Sequence, residues 1–172
     1  MSEEEIKKRM PVPPSVYKIQ IASAGDLYIM PKPSGEWLRD DVKAYREIGI
    51  SRIVSLLEHK EASDLGLSNE GDICEEFGID FVQYPIRDLA LPTEADFREL
   101  VNSTCIALQN GTNIAVHCRA GVGRSGMLSS CVLIKLAVPA DEAVFFIGEA
   151  RGVSIPDTLE QHQFIQNFTT GL

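Results

Sequence analysis

Positive charge is scarce in this chain of 172 residues, where 16 lysines and arginines stand against 25 aspartates and glutamates for a net charge of −9. That balance argues against a general nucleic-acid binder, which neutralises phosphates with basic patches. Any polyanion must instead meet a local basic pocket. Long apolar runs are also missing: none approaches the roughly 20 residues that cross a bilayer. The opening MSEEEIKKRM lacks the apolar stretch of a secretory signal. The reading is a cytoplasmic protein with no membrane span. The four cysteines, Cys74, Cys105, Cys118 and Cys131, form no C-x-x-C pair and have no histidine at ligand spacing. Neither a zinc site nor a disulfide framework is expected, so the thiols read as free and no metal or cofactor is implied. No internal repeat and no low-complexity core interrupt the chain.

What the sequence does have is enough apolar material, 44% of its residues, for one core. Residues 1–15, with the prolines of MPVPPSVY, read as a flexible arm, and residues 16–172 as one monomeric domain. YKIQIAS and GDLYIMP are short β-type runs suited to an antiparallel edge pair. SGEWLRDDVKAYREIGI places Leu38, Val42, Tyr45 and Ile48 at helical spacing, with Gly49 where a helix stops. SRIVSLL and IDFVQYPI read as strands, with a short helix over NEGDICEEFG between them. LPTEADFRELVNSTCIALQNG is the strongest helix signal. Thr93 and Asp96 offer a capping box, Phe97, Leu100, Val101, Thr104 and Leu108 form one stripe, and Gly111 ends it. Three more helical patterns follow NIAVHC: RSGMLSSCVLIKLA, PADEAVFFIGEAR with Pro139 near its first turn, and DTLEQHQFIQNF with Asp157 or Thr158 as cap. The alternation predicts an α/β fold with a central, mainly parallel sheet of four or five strands and helices on both faces.

The chemistry concentrates in NIAVHCRAGVGRSGMLSSCVLI. A β-type run ends on His117-Cys118, a glycine-bearing loop follows, and a helix opens at Arg124-Ser125. Glycines let successive backbone N–H groups turn inward around an anion, and the helix N-terminus adds its positive dipole end. Arg119, Ala120, Gly121, Val122 and Gly123 therefore read as a phosphate cradle. Arg124 at the rim contacts two phosphate oxygens at once with its planar fork. The same surroundings favour the thiolate form of a cysteine, whose ordinary pKa lies near 8.5. Attack by Cys118 on phosphorus would form a thiophosphoryl intermediate and split hydrolysis into two steps without a metal. His117, next to the nucleophile, reads as a residue that hydrogen-bonds locally and shapes the loop rather than as a base.

HCRAGVGRSG resembles the signature loop of the cysteine-dependent protein tyrosine phosphatase superfamily, in particular its small dual-specificity and atypical members. The likeness covers most of the chain after Ser15. GISRIVSLLE is similar to the strand that precedes the site, YPIRDLALPTEADF to the loop carrying the general acid, and RGVSIPDTLEQHQF to the late segment holding a water-orienting glutamine. The resemblance implies a dual-specificity-phosphatase-like fold, with Cys118 as nucleophile, Arg124 as phosphate clamp and Ser125 as the hydroxyl that stabilises the departing thiolate. It makes Asp88 the acid that protonates the leaving oxygen, and Gln161 the water-orienting residue, although Gln163 fits nearly as well. The implied substrate is a phosphorylated protein or a small phosphorylated molecule.

Two departures matter. QYPI lacks the large aromatic that often precedes the acid-bearing proline in tyrosine-specific members, and the chain is too short for their recognition insertions, so the pocket reads as shallow and permissive. Arg119, Arg87 and Arg151 add positive charge near the loop, which suits either a multiply phosphorylated substrate such as an inositol phosphate or ordinary solvated arginines. A non-catalytic phosphate-binding module is the remaining alternative. Cys105 and Cys131 sit on apolar helix stripes and read as core; a thiol near Cys118 would otherwise be placed to trap its oxidised form.

Overall fold

Strand residues of alternating side-chain direction explain the layers. The computed structural model describes Ser2 and residues 12–168; most of the expected arm, and the last four residues of the expected domain, lie outside them. Five strands form one sheet: β1 (Tyr17–Ile19), β2 (Leu27–Met30), β3 (Arg52–Ser55), β4 (Asp80–Gln83) and β5 (Ile114–His117). Their order is β1-β2-β5-β3-β4; β1 and β2 pair antiparallel and every other neighbour is parallel. This is the expected mainly parallel sheet with an antiparallel edge pair. Seven helices join the strands: α1 (Leu38–Ile48), α2 (His59–Asp64), α3 (Glu70–Glu76), α4 (Glu94–Gln109), α5 (Gly123–Lys135), α6 (Ala140–Arg151) and α7 (Leu159–Asn167).

Because successive strand residues face opposite sides of the sheet, each inner strand feeds two cores. Leu27, Ile29, Val54, Ile114 and Val116 pack with α4, α5, α6 and α7 on one face. Tyr28, Met30, Ile53 and Ala115 pack with α1 and α3 on the other. A strand buried on both sides reads as a continuous apolar run, which is why IAV and RIV carry no polar alternation. The α4 stripe of Phe97, Leu100, Val101, Thr104 and Leu108 is buried as its spacing predicts, and Gly49 ends α1 in the left-handed conformation at φ 105°.

Three local expectations change. Thr93 begins α4 through its carbonyl, which accepts from the Phe97 N–H at 3.0 Å, but its side chain caps nothing, so the box with Asp96 does not form. Pro139 precedes α6 as its cap rather than lying in its first turn. The helix α2, six residues long, follows β3 where the sequence shows no apolar stripe. On the last helix Thr158, not Asp157, is the cap, with its Oγ1 accepting from the Gln161 N–H at 3.1 Å.

Candidate active site

The central strand β5 delivers His117 and Cys118 to the carboxyl end of the sheet, where open α/β sheets place ligands. The loop that follows runs into α5, whose residues from Gly123 to Ile134 are all buried. Its shape is set from behind. The carbonyl of Cys118 accepts from the His117 ring at 3.0 Å, that of Arg119 from the Lys32 N–H at 3.0 Å, and those of Ala120 and Gly121 from Arg151 at 3.0 and 3.2 Å. Since N–H and C=O point opposite ways in a trans peptide, the N–H groups of residues 119–122 face the other side, as a phosphate cradle requires. Gly121 adopts φ 71°, and a Cβ there would run into the Met30 carbonyl. Gly123 has no room for a side chain because the Asp157 carboxylate lies against it and Gln161 Oε1 would be 3.0 Å from the added carbon.

Cys118 is 3% exposed, and its charge is among the influences that raise the Arg124 pKa. Arg124 is 1% exposed, so its cation needs a partner. Glu61 supplies it in a two-pronged pair, Nη1 to Oε1 at 2.7 Å and Nη2 to Oε2 at 3.0 Å, while Nη1 also donates to the Ile86 carbonyl at 2.8 Å. Burial alone would push both groups toward neutrality; the pair outweighs it, holding the Glu61 carboxyl below the ordinary glutamate range and raising Arg124 further. With the Nη1–Nη2 edge taken, the Nε–Nη2 edge is left for an oxyanion, and Asp88 Oδ1 stands 3.3 Å from Nη2 at that edge. Asp88 sits on a turn closed by Ala90 N–H to the Arg87 carbonyl at 3.0 Å, with Leu89 at φ 63°, a conformation costly for a residue with a side chain.

Ser125 is fully buried and its hydroxyl has no hydrogen-bond partner among the described residues. Gln161 is fully buried whereas Gln163 is exposed, so the first of the two turns toward the site. Its amide is already engaged: Oε1 accepts from the Asp157 and Thr158 N–H groups at 3.1 and 3.3 Å, and Nε2 donates to the Ala90 carbonyl at 3.4 Å. It thus ties the Asp88 turn to the start of α7. Arg119 pairs with Glu61 at 3.0 Å, Arg151 lies behind the loop, and Arg87 is exposed. The other cysteines are free and buried. Burial pushes the Cys74 thiol up to about 12 and Cys105 up to about 11, and raises Cys131 as well. These are properties of core thiols.

Two acids escaped the sequence reading. Glu61 is one; Glu70, 2% exposed on α3, is the other, 2.6 Å from Nε2 of the fully buried His117. Because a carbonyl only accepts, Nδ1 carries the proton given to Cys118 O. Burial by itself would lower the His117 pKa, but the Glu70 carboxylate outweighs it and the net shift is upward. His117 is therefore an imidazolium that braces the loop. A histidine raised in the fold contributes stability that is complete below its unfolded value, near 6.5, and fades as pH rises toward the folded value. Glu70→Gln is expected to cost about 3–5 kcal/mol of unfolding free energy at pH 6, with the gap to wild type narrowing at pH 8.5. Urea unfolding at both pH values measures this, and a gap independent of pH would refute the charged pair.

A family model described as polymorphic toxin system, DSP-PTPase phosphatase matches residues 30–137. The chain belongs to this family of phosphatases. Among its relatives, cyclin-dependent kinase inhibitor 3 of Sus scrofa is 26% identical over 133 residues, 76% of this chain and 63% of that protein. Protein tyrosine phosphatase domain-containing protein 1 of Bos taurus is 30% identical over 155 residues, 84% of this chain but 19% of that protein. This chain thus spans less than two thirds of either relative. Among solved structures, kinase associated phosphatase superposes with a TM-score of 0.83 at 20% identity, covering 91% of this chain and 94% of that one. The fold is that of the cysteine-based protein tyrosine and dual-specificity phosphatases. Among the described residues no helix is long and apolar enough to cross a membrane, and no three acidic, histidine or cysteine side chains are grouped to hold a metal.

Proposed function

We propose that this chain hydrolyses phosphomonoesters on proteins, with dual specificity, through a cysteinyl-phosphate on Cys118. The observation that carries the reading is the pre-set guanidinium of Arg124, held along one edge by Glu61 with its other edge turned to Asp88. A phosphate seated in the loop would take Nε and Nη2 of Arg124 and displace Asp88 from the latter. Asp88, protonated, would then stand beside the leaving oxygen and give it a proton as the Cys118 thiolate attacks phosphorus. The P–O bond to the substrate breaks as the P–S bond forms. Asp88, now a carboxylate, would take a proton from the water that cleaves the P–S bond, and the Ser125 hydroxyl would stabilise the departing thiolate.

The arginines bear on the substrate class. Arg119 is committed to Glu61 and Arg151 to loop carbonyls, so two of the three extra cations are spent inside the protein. This favours a single phosphate group over a densely phosphorylated inositol. Phosphotyrosyl and phosphothreonyl peptides, without added metal, are expected to give higher kcat/KM than inositol polyphosphates. A preference for the inositol compounds would assign the site to that alternative. The non-catalytic alternative is disfavoured because pure binding needs neither nucleophile nor acid.

The acid role has its own test. Asp88→Asn is expected to slow hydrolysis of phosphothreonyl peptide by about 10²–10⁴-fold, the usual worth of a positioned proton donor. Loss on p-nitrophenyl phosphate, whose leaving group needs little protonation, is expected to be under about 10-fold. Equal losses on the two substrates would remove Asp88 from that role.

A further inference from the structure

The sequence presents Arg151 as one more cation near a phosphate site. Its position is different. From the C-terminal turn of α6 the guanidinium reaches the outer face of the loop, with Nη2 3.0 Å from the Ala120 carbonyl and Nε 3.2 Å from that of Gly121. Its plane lies over the Tyr17 ring of β1, 4.5 Å from the centroid. Both faces of its chemistry are used: the donors by two adjacent carbonyls, the cation by an aromatic ring.

These two carbonyls flank the point where the backbone specifies its own shape least. Gly121, at φ 71°, has no Cβ to restrict rotation of the peptide units on either side. The loop needs those units facing one way, since the N–H groups of Gly121 and Val122 belong to them. His117 and the Lys32 N–H hold the two preceding carbonyls, but Ala120 and Gly121 depend on one side chain. A charged donor on a carbonyl also polarises the peptide and strengthens the N–H on its far side.

We propose that Arg151 is a positioning residue for the phosphate loop: its fork fixes the 120–121 and 121–122 peptide units with their N–H groups toward bound phosphate, and the Tyr17 ring holds the fork in place. This rests on the phosphatase reading above. It also changes what Arg151 contributes, from attraction of substrate at long range to the donor geometry of the cradle. Lysine cannot replace it fully, because a single ammonium reaches one carbonyl well but does not span two in a fixed plane.

The experiment is calorimetric binding of inorganic phosphate to the full chain, together with backbone amide shifts of Gly121 and Val122 during the titration. Arg151→Met keeps the stem and removes the fork; it is expected to weaken phosphate binding about 10–100-fold, the loss of two well-placed donors to an anion. The Gly121 and Val122 amides, which move on titration of wild type, are expected to move little in this variant. Arg151→Lys is expected to recover part of the affinity, and Tyr17→Leu to lose a few-fold with the same amides affected. The lysine and leucine variants keep the test open if the methionine variant folds poorly. Wild-type affinity and unchanged amide shifts in the variants, with wild type still binding phosphate and turning over substrate, would overturn the positioning role alone. Wild type that neither binds phosphate nor releases it would instead overturn the phosphatase reading, and this inference with it.

Discussion

Replacing Cys118 with serine is expected to abolish phosphate release while phosphate still binds in the loop. A serine hydroxyl has the shape to fill the site of a buried thiol but is not ionised near neutral pH, so the two-step route through a covalent intermediate closes. Everything that would hold the anion stays: the N–H groups of residues 119–122, the start of α5, and Arg124 fixed by Glu61. Loss of turnover on the order of 10⁴-fold or more is expected, in line with removal of a nucleophile elsewhere. Binding of inorganic phosphate should change by less than about tenfold, since the donors are untouched. Phosphate release from a phosphopeptide and calorimetric phosphate binding check the two halves. Hydrolysis by the serine variant at a rate comparable to wild type would remove Cys118 from the mechanism.

Glu61→Ala is the second large effect, and it combines stability with activity. Arg124 is 1% exposed and its strongest partner is this carboxylate. Removing one member of a buried pair leaves the other charge uncompensated, at a cost of about 3–5 kcal/mol. Glu61 also accepts from the Glu58 N–H at 3.2 Å and pairs with Arg119, so the start of α2 loosens as well. Without Glu61 the guanidinium is expected to turn toward its remaining carboxylate, Asp88, which would withdraw the acid and lower kcat along with phosphate affinity. Glu61→Gln keeps the shape and should retain more stability than alanine.

The sign with pH follows from the lowered Glu61 pKa. Its contribution is present above the ordinary glutamate value and lost as pH falls through the lower folded one. Wild type should therefore lose stability on acidification more steeply than Glu61→Gln. Denaturant unfolding and steady-state kinetics measure both effects; an alanine variant as stable as wild type would show that Arg124 does not depend on this pair.

How far these features were legible in the sequence depended on whether they were local. Strand alternation, the α4 stripe, Gly49 and the loop from Cys118 to Ser125 all follow from neighbouring residues, and the sheet with its edge pair follows from them. Glu61 and Glu70 did not show because their partners are 63 and 47 residues away. In an acidic chain each looks like any solvated carboxylate, and α2, six residues without an apolar stripe, carries no helical signal to mark Glu61. The choice between Gln161 and Gln163 needed the phase of α7, fixed by Thr158 as its cap. Arg151 was visible as a charge, but which side of the loop it occupies is a property of how α6 packs. The Thr93–Asp96 box shows the converse error: the motif is present and the helix starts there, yet the side chains do not close it.

The covalent intermediate is the centre of this account, so the most direct measurement is a rapid acid quench of wild-type protein turning over a good phosphomonoester, followed by peptide mass analysis under conditions that preserve phosphothioesters. The account expects the peptide containing Cys118 to carry the added mass of one phosphoryl group, and the Cys118→Ser protein to carry none. Steady turnover with no phosphoryl group on Cys118, or with the label on another residue, would contradict it.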